Sequence, residues 1–304
     1  GIHAYQIGVS VRVDVAHERD ARRGGKPGRP KRRWRIRADE KSREHRTILD
    51  ACAAADRWRQ LCPGTLKNAP MKIAVLPLNA AEGTLPALGR QFSNFACDTL
   101  RAATEADVNS VSFLAQLEGE NEGRSAFVNV ADDLLAPDWI QQFFSEAQID
   151  KVMDGFLLRE GDSFDLTVRF HERDNPEPVK VAQRKFTKAD VFTVLHSMVK
   201  DLADQAEVQL PEEMASAMDF GTDSPDAFLL FLEGYDALMY INQANGAVAN
   251  EFSPLSAFQS LIDACELDAE FLGPYETCLG LCRACVTYRI GTFEAIEAAL
   301  LTLA

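Results

Sequence analysis

Between Ile149 and Phe186 three strand-length segments follow one another with almost nothing between them, and this passage most restricts the fold. IDKVMDGFLLREG runs into DSFDLTVRFHERD through a turn at Gly161-Asp162, and PVKVAQRKF comes next. Phe164, Leu166, Val168 and Phe170 alternate with Asp165, Thr167, Arg169 and His171. A period of two buries one strand face and leaves the other wet, which puts His171 on the wet face. A Gly-Asp pair between two such runs is a hairpin signal. A hairpin with one apolar face needs a layer to cover it, and the flanking segments supply one.

Upstream, KIAVLPL (Lys72–Leu78) is a short run rich in β-branched residues, stopped at Asn79. Such runs read as strands buried on both faces. A helix is expected from about Ala87 to Thr104, where Leu88, Phe92, Phe95, Ala96, Thr99, Leu100 and Ala103 recur at three- and four-residue spacing. VNSVSFLAQL is a second strand, ENEGRSAFVNVADDL a polar loop, and Asp138 to Ala147 a short helix. After Thr187 a further helix carries Phe192, Leu195, Val199, Leu202 and Ala206 on one stripe. The order β-α-β-α-β-β-β-α predicts a mixed α/β domain over residues 71–220, a sheet with packed helices.

The character changes at Gly221. Ser224, Pro225 and Asp226 form a favourable helix start, with N-cap, N1 proline and an acid in the first turn. SPLSAFQSLIDACELDAEF opens the same way after a loop at Asn245-Gly246. FLGPYETCLGLCRACVTYRI and GTFEAIEAALLTLA give a further helical pair, so residues 221–304 read as an all-α hairpin array. Ala257, Leu261 and Ala264 show a small–large–small spacing that lets helices approach closely; Tyr275 and Ala295 are packing positions of the next pair. Ala257 and Ala295 lie 38 residues apart, off the 34-residue period of tetratricopeptide repeats.

MKIAVLPLN, the hairpin through Gly161-Asp162 and the helix ADVFTVLHSMVKDLADQAEVQL together resemble the TolB amino-terminal-like α/β domain. Val75, Leu76 and Pro77 match its first strand, with Leu78 replacing an aromatic, and Gly155 with the hairpin through Gly161-Asp162 matches its strand–Gly–strand hairpin. SPDAFLLFLEGYDAL resembles the helix that joins such domains to tetratricopeptide repeats in bacterial proteins. The resemblance implies a non-enzymatic scaffold in a bacterial-type signalling or regulatory protein, binding a protein or peptide partner, with no cofactor.

Charge is unevenly divided. Residues 1–70 hold 17 Lys+Arg against 8 Asp+Glu, or +9; the remaining 234 hold 15 against 38, or −23, giving −14 in all. An acidic body repels nucleic acid and anionic membranes at long range. Any nucleic-acid contact therefore falls to the first segment, where GGKPGRPKRRWRIR (24–37) carries seven Lys or Arg in fourteen positions. KPGRPKRR resembles an AT-hook: Arg29 would enter the minor groove while Lys31, Arg32 and Arg33 neutralise phosphates. The alternative function is thus a DNA-contacting regulator. The first Met is Met71, where regular periodicity also begins, so residues 1–70 are expected to be a disordered or spurious extension, and repeats to continue past Ala304. TILDACAAADRWRQLC in that segment is a short helix-like piece ended by Pro63-Gly64.

Chemistry-bearing motifs are sparse. Cys278, Cys282 and Cys285 have the C-x3-C-x2-C spacing of radical SAM enzymes, but at i, i+4 and i+7 of a predicted helix they read as small packing side chains. Neither Gly-x-Ser-x-Gly nor a Cys-His pairing is present, so no catalytic or metal-binding residue is assigned. Seven scattered cysteines suit reduced thiols in the cytoplasm, with the periplasm the alternative if the native start lies elsewhere. No apolar run reaches the ~18 residues of a membrane span.

Overall fold

The computed structural model describes residues 9–15, 34–36, 71–80, 86–103, 107–127, 133–147, 149–175, 177–210 and 220–303. Strands β1 (Val9–Val15) and β2 (Trp34–Ile36) come from the basic segment, to which the sequence reading gives no fold. There follow β3 (Lys72–Val75), β4 (Asn79–Ala80), α1 (Pro86–Ala103), β5 (Asp107–Gln116), β6 (Ser125–Phe127), α2 (Pro137–Ala147), β7 (Lys151–Glu160), β8 (Ser163–Glu172), β9 (Lys180–Thr187) and α3 (Val191–Gln205). The helical region is α4 (Pro225–Gln243), α5 (Pro254–Leu267), α6 (Leu272–Tyr288) and α7 (Phe293–Leu303). The architecture is mixed α/β with a carboxy-terminal helical region. None of the described helices is long and apolar enough to cross a membrane.

The sheet runs β2-β1-β5-β3-β7-β8-β9, with β4 beside β7 and β6 beside β5. Pairing is parallel from β1 through β5 and β3 to β7, then antiparallel through β8 to β9. Strand β3 is buried on both faces, as its composition predicts. Ile73 and Val75 enter a core with α1 and α3, while Ala74 and Leu76 enter a second core with Phe113, Ile140 and Phe143. Pro77 has no N–H to give, so the ladder breaks there before resuming at β4.

The hairpin is where the sequence places it. Glu160 pairs with Ser163 across Gly161-Asp162, and Gly161 has φ +65°, a conformation that glycine takes readily. Phe164, Leu166, Val168 and Phe170 are all buried. Gly155 has no room for a side chain: a Cβ there would lie 2.5 Å from the Thr167 carbonyl oxygen and 2.7 Å from Leu78 Cδ2. Backbone cannot give way as a flexible side chain can, so Gly155→Ala is expected to cost about 2 kcal/mol, read as a lowered urea midpoint. An unchanged midpoint would mean that β7 and β8 can separate freely at that point.

Two expectations need correction. The stretch 120–134, read as loop, contains a 3-10 turn at Gly119–Asn121 and strand β6, which returns antiparallel along β5 in the register Leu114↔Phe127 to Gln116↔Ser125. Its polar, glycine-containing composition conceals a strand of only three residues. His171, placed on the wet face by alternation, is 3% exposed. Arg169 beside it reaches the Leu135 carbonyl, so the segment leading into α2 meets this part of the face that alternation leaves to water.

Candidate functional site

Helix α1 buries more than its apolar stripe. Gln91, Ser93 and Asn94 are also buried, and Gln91 and Asn94 belong to a polar contact with α4. Arg90 donates to Asp236 through Nε (2.9 and 3.1 Å) and Nη2 (2.6 Å), a fork-on-carboxylate geometry. Gln91 Nε2 donates to the same carboxylate at 2.6 Å, and Asn94 Nδ2 donates to Gln91 Oε1 at 2.7 Å. The Arg90 guanidinium also lies over the Phe127 ring, 5.3 Å from its centroid. Pro86, Leu88, Arg90, Leu229, Glu233 and Asp236 are among the residues lining a cleft of about 200 Å³ beside this contact.

A second contact ties β6 to the turn after α4. Ser125 N–H donates to the Ala247 carbonyl at 2.6 Å, and Arg124 Nη1 to that of Val248 at 2.9 Å. The Tyr240 hydroxyl donates to the Ser125 carbonyl and accepts from Ala249 N–H at 2.9 Å. Burial, only partly offset by the hydrogen bond from Ala249, pushes the Tyr240 phenol up. Asn245 and Gly246, the turn read from sequence, both have positive φ and let the chain reverse here. Leu114 of β5 is therefore part of the core of the helical region.

Within that region Ala257, Leu261 and Ala264 are buried, as their spacing predicts. Leu261 lies directly over Gly234 of α4, where an added Cβ would collide with it. Tyr275 is half-buried, and its hydroxyl and the Cys265 thiol share a hydrogen bond. Ala295 stands in α7, but its side chain lies outside the described residues. Arg29, Lys31, Arg32 and Arg33, and the helix-like piece at 47–62, also lie outside them.

Cys278, Cys282 and Cys285 sit inside α6 and are buried. Burial pushes the Cys278 thiol up to about 12 and that of Cys285 to about 11. Neutral thiols among apolar neighbours are packing groups, since nucleophiles and metal ligands act as thiolates. Among the described residues no group of three or more His, Cys, Asp or Glu is placed to hold a metal ion.

The other buried charge lies in the sheet. Asp154, 1% exposed on β7, accepts from Arg169 Nε at 3.0 Å and again from its Nη2, and it meets His171 Nε2 at 3.0 Å. Burial alone raises the Asp154 carboxyl, but the hydrogen bonds from His171 and Arg169 and the arginine charge outweigh it. The carboxyl ends below its usual range. Sequence reasoning missed both networks. The available signal was an Asp inside the apolar run KVMDGFLL; Gln91 and Asn94 lie on an amphipathic helix that also carries Arg90, Asp98 and Arg101, and give none.

A third feature is open. Phe252, Pro254, Leu255, Phe258, Gly291 and Ile296 line most of a cleft of about 240 Å³ where α5 and α7 begin.

No protein-family model matches the chain, and no curated protein does. Among solved structures it has a weak likeness to a PelC dodecamer from Paraburkholderia phytofirmans and to TolB from Acinetobacter baumannii. Each has a TM-score of 0.30 and 17% identity and covers 48% of this chain. The matched regions span 95% of the PelC chain and 30% of the TolB chain.

Proposed function

We propose that the chain is a non-enzymatic interaction module, an α/β domain carrying a tetratricopeptide-like helical array that docks a basic peptide with a large apolar anchor. The α5–α7 cleft carries this reading. It is lined by Phe252, Leu255, Phe258 and Ile296, and its volume suits one or two apolar side chains. The array around it holds 12 Asp+Glu against 2 Arg over residues 221–304, a net −10, which favours a positively charged partner. The buried ionisable groups serve each other instead: Asp154 is held by Arg169 and His171, Asp236 by Arg90 and Gln91. The wider role in a bacterial-type signalling or regulatory protein rests on the sequence resemblance alone.

An array of Lys/Arg-rich peptides bearing a central Leu, Phe or Ala tests the reading. Leu and Phe peptides are expected to be retained, and Ala peptides not. Leu255 is half exposed, so Leu255→Ser should leave the fold intact while weakening retention about tenfold. Retention that ignores the central residue or Leu255 would sink the proposal.

A further inference from the structure

Helix α6 has an exposed apolar stripe. Leu272, Leu279 and Val286 are 68%, 57% and 59% exposed, three of the eight large exposed apolar side chains among the described residues. They fall seven residues apart, so they stay within about 20° of one line per repeat. Glu276 and Arg283 are exposed beside that line. They lie about 10.5 Å apart along the helix, too far to pair with one another. Among the described residues, the ion pairs recorded elsewhere in the fold involve neither of them.

A two-fold interface requires a patch that complements itself. This stripe does so in one orientation. With two α6 helices antiparallel and Leu279 on the axis, Leu272 of each copy lies opposite Val286 of the other. Glu276 then comes abreast of the second copy's Arg283, twice, once on each side of the axis. The parallel arrangement sets Glu276 against Glu276 and Arg283 against Arg283. Antiparallel helices also align their dipoles favourably. We propose that α6 is a self-association surface whose occupant is a second copy of this chain, joined antiparallel about Leu279. The α5–α7 cleft has no part in this contact, so peptide docking and self-association stand or fall separately.

Sedimentation velocity of the full chain, up to high micromolar concentration, tests it. The wild type is expected to show a concentration-dependent monomer–dimer equilibrium. Leu279→Glu places two carboxylates at the axis and should weaken the dimer at least about 30-fold. Glu276→Arg and Arg283→Glu should each weaken it, and the double exchange should restore it to within a few-fold of the wild type. All these side chains are exposed, so the thermal midpoint of the monomer and its peptide retention should not move. A wild type monomeric at every concentration, a dimer indifferent to Leu279→Glu, or a double exchange as weak as the single ones would each overturn the assignment.

Discussion

Replacing Asp236 with alanine is expected to cost about 3 kcal/mol and to loosen the helical region from the sheet. The size follows from what remains. Arg90, 23% exposed at its side chain, loses both arms of its carboxylate contact, and Gln91 loses its acceptor. Removing one partner of a largely buried pair costs about 3–5 kcal/mol, because the other charge stays out of water without compensation. The partial exposure of Arg90 sets the lower end of that range. Urea unfolding followed by tryptophan fluorescence and by far-ultraviolet dichroism reads the effect. The wild-type transitions should coincide and those of the variant should separate, with earlier protease cleavage between α3 and α4. Replacing Arg90 and Asp236 together by leucine should recover much of the loss, since burying neither charge removes the desolvation cost. A loss under about 1 kcal/mol with coincident transitions would show that the apolar seam of Phe228, Leu229 and Leu232 against α1 and α3, with the β6 contact, holds the two parts together without the ion pair.

The second large effect is expected at Asp154. Asp154→Asn removes the charge that Arg169 and His171 share in a site where Asp154 is 1% exposed, at a cost of about 4 kcal/mol at neutral pH. The pH dependence identifies the cause. The carboxyl is held below its usual range in the folded chain, so its contribution is complete above the unfolded value near ~4 and is lost as pH falls through the lower folded value. The stability gap between wild type and Asp154→Asn should therefore be widest above that value and close in acid. A gap that is constant with pH would assign the loss to packing, not to charge.

These two sites mark where sequence reasoning stops. Alternation over Phe164–Phe170 and the three-and-four spacing over Leu88–Leu100 report which face of an element is apolar, and both faces are buried as read. Ser224 and Pro225 report a helix start through local bonding, and the Ser224 hydroxyl does accept from Ala227 N–H, at 3.3 Å. Gly155 reads as a hairpin residue before any coordinate shows the Thr167 carbonyl beside it. Polar residues carry no comparable signal. His171 follows the period of the wet face and is buried because an Asp seventeen residues earlier and the segment before α2 meet it there. Gln91 and Asn94 occupy positions that suit solvent equally well until α4, some 145 residues on, brings Asp236 against them.

The sequence by itself determined the long strands and the helices from Lys72 onward, their apolar faces, the tight hairpin and the division between a mixed α/β part and a helical part, but not β1, β2 or the three-residue β6. Each of these follows from bonding and burial within a few residues along the chain. Only the tertiary structure decided that the two parts are joined through Arg90–Asp236, through β6 and through the apolar seam that Phe228, Leu229 and Leu232 share with α1 and α3. It also decided that Asp154 is a buried charge and that the α6 stripe lies open beside a closed core. Those outcomes depend on pairings between elements, from 15 residues apart for Arg169–Asp154 to 146 for Arg90–Asp236, and on which face another element covers, and neither has a local period to read.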